Sequence, residues 1–150
     1  MKTIFDQSTR DEITRRIAGL GADSKAHWGS MNILQMLRHC TLWEEMILQN
    51  KTYPRPLIGR LIGPMLLRSV LKDDSPLRRN SPSIPELRIR ESTGDIEKGK
   101  ARWIALISDY ARYDLPDHSF VHPFFGRMTK EQIGYLVYKH DHHHLSQFGC

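Results

Sequence analysis

The stretch TKEQIGYLVYKHDHHHLSQ at residues 129–147 decides the fold of this chain. It begins with a threonine followed three positions later by a glutamine, the spacing of a capping box, which marks the start of a long helix. The next residues recur at intervals of four and three and form one helical stripe: Ile133, Val137, His140, His144 and Gln147. Because this stripe buries its apolar members, we expect His140 and His144 to point toward the protein interior.

Two histidines four residues apart on one helix face can hold a single divalent ion between them. Burying His140 and His144 without partners is costly, and coordination of one ion satisfies both rings. His39, about a hundred residues earlier, flanks the apolar stripe of another predicted helix and can supply a third ligand. Three protein ligands leave one coordination position open for water or substrate.

Another interpretation of the histidine run stays open. Histidines at a helix end also interact favourably with the negative end of the helix dipole, and a pair with this spacing is weakly specific. The run is not an affinity tag, because Asp141 interrupts it and the helical pattern continues beyond it. His142 is expected in solvent, and His143 at the edge of the stripe. Asp141 points about 100° away from His140, so no acceptor is predicted for the second ring nitrogen of His140.

Three more helices are predicted from apolar residues at helical spacing between starting and ending signals. They span Thr9–Leu20, with Ser8 or Thr9 as N-cap and Gly21 after the end; Met31–Gln49, with Ser30 as N-cap; and Asp95–Tyr113, with Ser92, Thr93 or Asp95 as N-cap. No strand is predicted, because alternation is weak and β-branched residues are few. Four amphipathic helices and one long crossover predict an all-α four-helix bundle.

The crossover lies in residues 54–90, which contain six prolines. Leu57–Leu71 is apolar but carries Arg60 and Arg68, and it is too short for a membrane span. A membrane-surface helix remains open, although a segment packed along the bundle is favoured. Residues 73–85 are predicted to form an irregular loop.

Length and composition indicate a single domain that spans residues 1–150. A chain of this size buries enough surface to fold without disulfides, and Cys40 and Cys150 are typical of a reduced, cytoplasmic protein. No signal peptide is recognised. The net charge of +5 and the basic residues between Arg55 and Arg90 indicate a solvated surface, because no nucleic-acid-binding motif accompanies them.

The aromatic segment His122–Gly126 is expected to be a packed loop that anchors the far end of the last helix, about 20 Å from His144. Cys40 is interpreted as a small core residue. Five aromatic residues are assigned to the core, with the lining of a pocket above the metal as the alternative: Trp28, Trp43, Trp103, Phe124 and Phe125. No catalytic acid or base is assigned, because Glu44 and Glu45 follow His39 by five and six positions and lie on a different face.

Four motifs together resemble a known family. They are Trp28-Gly29-Ser30-Met31-Asn32, Gln35-Met36-Leu37-Arg38-His39-Cys40, His122-Pro123-Phe124-Phe125-Gly126 and His140-x-x-His143-His144-x-x-Gln147. The chain resembles the DinB-like superfamily over nearly its whole length, and within it a branch that has no assigned function. The resemblance implies an up-up-down-down four-helix bundle with a long crossover. It also implies a divalent metal ion held by His39, His140 and His144; imidazole ligands suit zinc, nickel, copper and iron, and zinc or nickel is expected.

The resemblance implies two kinds of function. Related members include thiol-dependent isomerases and thiol S-transferases that use mycothiol or bacillithiol, and others are described as metal-dependent hydrolases. The expected partners are therefore a small-molecule substrate or a low-molecular-weight thiol, with a homodimer as a further possibility and with no nucleic acid or membrane. The alternative is a non-catalytic, metal-stabilised bundle that acts as a binding or dimerisation module, with His143 or Cys150 as a fourth ligand.

Overall fold

Helices dominate the computed structural model, which describes residues 1–150. Five α-helices and one short antiparallel hairpin follow in chain order: α1 (Gln7–Ala18), α2 (Ile33–Leu48), α3 (Leu57–Val70), α4 (Ile96–Asp109), β1 (Val121–His122), β2 (Gly126–Arg127) and α5 (Lys130–Gln147). Two single 3₁₀ turns lie at Pro85–Leu87 and Tyr110–Arg112. None of the helices combines the length and the hydropathy that crossing a bilayer requires.

The longer helices begin at side chains that satisfy their first free N–H groups. α5 begins as predicted, with a complete capping box between Thr129 and Gln132, and α4 begins at Asp95, one of its three predicted caps. For α2 the predicted cap, Ser30, is wrong. Asn32 is the cap, because its side chain accepts from the Gln35 amide while the Gln35 side chain accepts from the Asn32 amide.

The predicted bounds of α1 are also wrong, by two residues at each end. The helix begins after Asp6, so Ser8 and Thr9 lie inside it, and it ends at Ala18 rather than at Leu20. The Arg10 guanidinium explains the early start, since it donates to the carbonyl oxygens of Ile4 and Phe5 and ties the preceding segment to the first turn.

The core lies between α1, α2, α4 and α5. Each of α1 and α2 packs against both α4 and α5, and the largest fully buried side chains are those of Trp103, Tyr110 and Phe120. The predicted inward stripe of α5 is confirmed, because all five of its members are buried: Ile133, Val137, His140, His144 and Gln147. Cys40 is a fully buried core residue, as predicted.

The crossover helix α3 packs against the hairpin and reaches the core with Leu67. Gly59 and Gly63 lie against Phe124, and a Cβ atom at Gly63 would overlap the Phe124 carbonyl oxygen. The prediction of no strand is wrong only for the hairpin, whose two-residue strands are too short to show alternation. The opposite face of α3 is apolar and exposed, with Leu57 and Leu61 more than three-quarters open to solvent.

Candidate metal centre

Three histidines from two helices converge in the interior. His39 comes from α2, and His140 and His144 come from successive turns of α5. One ring nitrogen of each lies within 4.8 Å of the other two. The three residues are only 6 to 8% exposed. The structure therefore brings together the three residues that the sequence selected.

Hydrogen bonds determine the tautomer of two of these rings. His39 Nδ1 lies 2.9 Å from the Leu87 carbonyl oxygen, which can only accept, so this nitrogen carries the hydrogen. His144 Nδ1 lies 2.9 Å from Gln147 Oε1, and the Gln147 amide is oriented by its other end, which donates to the Trp28 carbonyl oxygen at 2.7 Å. Both rings therefore keep a free lone pair on Nε2, the atom that coordinates metals.

His140 completes the cluster in a different way. Its Nε2 lies 3.2 Å from Nε2 of His39, so in the bare cluster its hydrogen points at the lone pair of His39. Its Nδ1 is buried and has no hydrogen-bond partner. One hydrogen cannot serve three converging nitrogens, whereas one divalent cation accepts a lone pair from each. The donor set therefore fits a metal ion.

Burial keeps all three rings neutral. It lowers the pKa of His39, lowers that of His140 well below the usual range, and lowers that of His144 to about 3. The proximity of the other rings adds to the effect at His140 and His144, because neighbouring imidazolium charges repel one another. Neutral imidazole is the form that ligates metals, so no proton has to leave these rings at neutral pH.

Aromatic rings enclose the cluster. Trp43 stacks on His140 with ring centroids 4.1 Å apart and planes 13° from parallel. Trp28 meets the edge of His143, and the Arg79 guanidinium lies 4.1 Å from the Trp28 ring. Trp28 is thus beside the cluster, whereas Trp103 is an ordinary core residue.

Two predictions about the other histidines are wrong. His122 is 4% exposed and is not remote from the cluster, because its ring packs against Trp43, the same ring that stacks on His140. The loop folds back along the last helix instead of staying at its far end. His142 is half-buried rather than solvated, since Arg16 of α1 contacts its Nδ1 at 2.9 Å.

A buried carboxyl pair lies directly behind His140, and the sequence did not predict it. Glu44 and Asp141 are fully buried, and the Tyr110 hydroxyl donates to Glu44 Oε2 at 2.5 Å. Desolvation raises the pKa of both carboxyls, and their proximity raises that of Asp141 further. Glu44 is predicted off the face of His39, and Asp141 about 100° from His140; because α2 and α5 each pack against two other helices, these faces are buried too.

The fold and the cluster define a class: a helical protein with a buried three-histidine site suited to a divalent cation. The chain belongs to the DinB superfamily, whose family model matches residues 6–148. Metal binding is general in that superfamily. Neither a curated protein nor a solved structure matches the chain.

Proposed function

We propose that this protein binds one divalent metal ion, zinc or nickel, through Nε2 of His39, His140 and His144. Two hydrogen bonds support the proposal: His39 Nδ1 donates to the Leu87 carbonyl oxygen, and His144 Nδ1 donates to Gln147 Oε1. Each acceptor holds the hydrogen on Nδ1 and leaves the Nε2 lone pair facing the other rings.

We further propose the DinB arrangement of an up-up-down-down four-helix bundle. In this arrangement α1, α2, α4 and α5 are the four bundle helices, and α3 belongs to the long crossover between the second and third. The packing of α1 and of α2 against both α4 and α5 supports it.

The proposed activity is a metal-dependent reaction of a small molecule, either transfer to a low-molecular-weight thiol or hydrolysis. A bound zinc or nickel ion would lower the pKa of a water molecule or a thiol. The residues of this chain supply position: Gln147 fixes His144, Trp43 holds the plane of His140, and Arg79 on Trp28 offers a cation to an anionic group of the ligand. Two free thiols, Cys40 and Cys150, are consistent with a reducing compartment such as the cytoplasm.

One observation favours a second candidate, a non-catalytic bundle in which the metal only stabilises the fold. The three histidines are only 6 to 8% exposed, and a metal site closed to solvent resembles a structural site rather than a catalytic one. His143, half-buried against His144, is the nearest side chain for a fourth ligand. In this alternative the protein acts as a binding or dimerisation module.

An activity panel separates the two candidates. Zinc-loaded protein, nickel-loaded protein, chelated protein and His144→Ala are assayed for ester hydrolysis and for transfer of a small aromatic electrophile to several thiols. The enzyme proposal expects turnover that disappears on chelation while the far-ultraviolet circular dichroism persists. Absence of turnover, together with unfolding on chelation, would favour the structural role.

A further inference from the structure

Four buried polar atoms without hydrogen-bond partners gather at one place. They are Nδ1 of His140, both carboxylate oxygens of Asp141 and Oε1 of Glu44. A buried polar group normally has a partner, because leaving it bare costs free energy. Four such atoms in one part of the core are therefore unusual.

The three side chains are close enough to interact. One ligand atom of each lies within 4.8 Å of the other two, and Asp141 Oδ1 is 3.6 Å from His140 Nδ1. That separation exceeds an N–H···O hydrogen bond by about half an ångström. The carboxyl of Glu44 is fixed from the other side by Tyr110.

The tautomer of His140 decides whether this contact can be a hydrogen bond. When Nε2 of His140 carries the hydrogen and donates to His39, its Nδ1 has only a lone pair, which faces the oxygens of Asp141. If a cation takes the Nε2 lone pair, the hydrogen must lie on Nδ1, where Asp141 is the adjacent acceptor.

We propose that Asp141 is the positioning residue of His140, with Nδ1–H of His140 donating to Asp141 whenever metal occupies Nε2. The inference rests on the proposed function, because it presumes the three-histidine metal site. With this contact, Nδ1 of each metal-binding histidine has one hydrogen-bond acceptor: Leu87 for His39, Gln147 for His144 and Asp141 for His140. Metal on Nε2 requires the hydrogen of His140 to lie on Nδ1, where it gives the buried carboxyl pair a donor.

Zinc binding to untagged protein tests this role. Affinity is measured by competition with a chromogenic chelator for the wild type, Asp141→Asn, Asp141→Leu and the exposed control Asp11→Asn, and metal-free thermal midpoints are recorded alongside. We expect Asp141→Leu to weaken zinc binding about 10- to 100-fold. Asp141→Asn, whose amide oxygen still accepts, loses less, and the control matches the wild type. The metal-free midpoint of Asp141→Leu stays level or rises, because one of two adjacent buried carboxyls, which lacks a fixed donor, is removed.

A spectroscopic measurement keeps the inference testable if a variant does not fold. In ¹⁵N-labelled zinc-loaded wild type, His140 should show a hydrogen on Nδ1 and zinc on Nε2, and in metal-free protein a hydrogen on Nε2. Unchanged affinity in Asp141→Leu, zinc on Nδ1, or a second zinc ion that Asp141→Leu alone removes would each overturn the inference and leave the three-histidine site standing. Failure of the wild type to bind zinc overturns the proposed function and this inference together.

Discussion

The Nε2 atoms of His39 and His140 lie 3.2 Å apart although 101 positions separate the two residues in the chain. A hydrogen bond between them uses only one of the cluster's converging nitrogens as a donor. His144 brings another lone pair to the same place, because Gln147 holds its hydrogen on Nδ1. One divalent cation therefore satisfies the three converging nitrogens better than hydrogen bonds among the rings can.

Gln147 should control metal affinity without being a ligand. In Gln147→Leu the His144 ring loses the acceptor at Nδ1, and its tautomer and orientation are no longer fixed. We expect zinc affinity to fall roughly 10-fold or more, measured by chelator competition. Gln49→Leu makes the same chemical change at an exposed position after α2 and should not alter affinity. Equal affinity for both variants would contradict the orienting role.

The start of α2 can be tested with two neighbouring substitutions. Asn32→Ala removes the side-chain acceptor for the Gln35 amide and should lower the free energy of unfolding by about 1 kcal/mol. Ser30→Ala should leave it unchanged, since Ser30 is not the cap. Urea denaturation measures both. A larger loss for Ser30→Ala than for Asn32→Ala would mean that the helix begins earlier than the structure places it.

The contact between α3 and the hairpin has no room for a methyl group. Gly63→Ala places a Cβ atom against the Phe124 carbonyl oxygen and should destabilise the protein by about 1–3 kcal/mol, despite the higher helix propensity of alanine. Gly21→Ala is the matched control, because nothing lies within 4 Å of its Cβ position. Similar denaturation midpoints for the two variants would show that α3 is not packed this way.

Acid should destabilise the metal-free protein through its buried histidines. Burial lowers the pKa of His122 to about 3, whereas histidine in an unfolded chain has a pKa of about 6.5. The unfolded chain therefore binds more protons as the pH falls from about 6.5 toward 3. The stability is complete above that window and is lost within it, by up to roughly 1.4 kcal/mol per pH unit for each such histidine.

Two asparagine variants check the origin of this slope. His122→Asn retains a side-chain oxygen for the Phe124 and Phe125 amides, which donate to His122 Nδ1 in the wild type. This variant should reduce the pH dependence of the unfolding free energy by the contribution of one histidine, up to roughly 1.4 kcal/mol per pH unit. His118→Asn should leave the slope unchanged, since His118 is exposed and its positive φ of 62° suits asparagine. A slope insensitive to His122→Asn would contradict the assignment.

The last helix and its stripe could be predicted because the information is local. A capping box and a helical period specify where α5 begins and which residues face inward, and the structure confirms both. The cap of α2 is also a local signal, since Asn32 and Gln35 have capping-box spacing, and Ser30 competes with it only because it follows a glycine. Metal ligation by the three histidines stays a prediction, although their rings do converge.

The carboxyl pair and the position of His122 could not be predicted from local patterns. Glu44 follows Cys40 by four positions and Asp141 follows Val137 by four, so both have the spacing of a buried stripe, but only the packing of α2 and α5 shows that two acids tolerate burial there. His122 approaches the cluster because the hairpin folds back onto Trp43, a tertiary contact that leaves no periodic signal in the sequence.

The most direct test of the central claim is the metal content of untagged protein after zinc or nickel reconstitution and dialysis. It is measured for the wild type and for His39→Ala, His140→Ala and His144→Ala, with His118→Ala as the exposed control. We predict about one ion per chain in the wild type and the control, and loss of that ion in each of the other three variants while the helical circular dichroism persists. Wild-type protein without metal, or cluster variants that keep the ion, would contradict the three-histidine site.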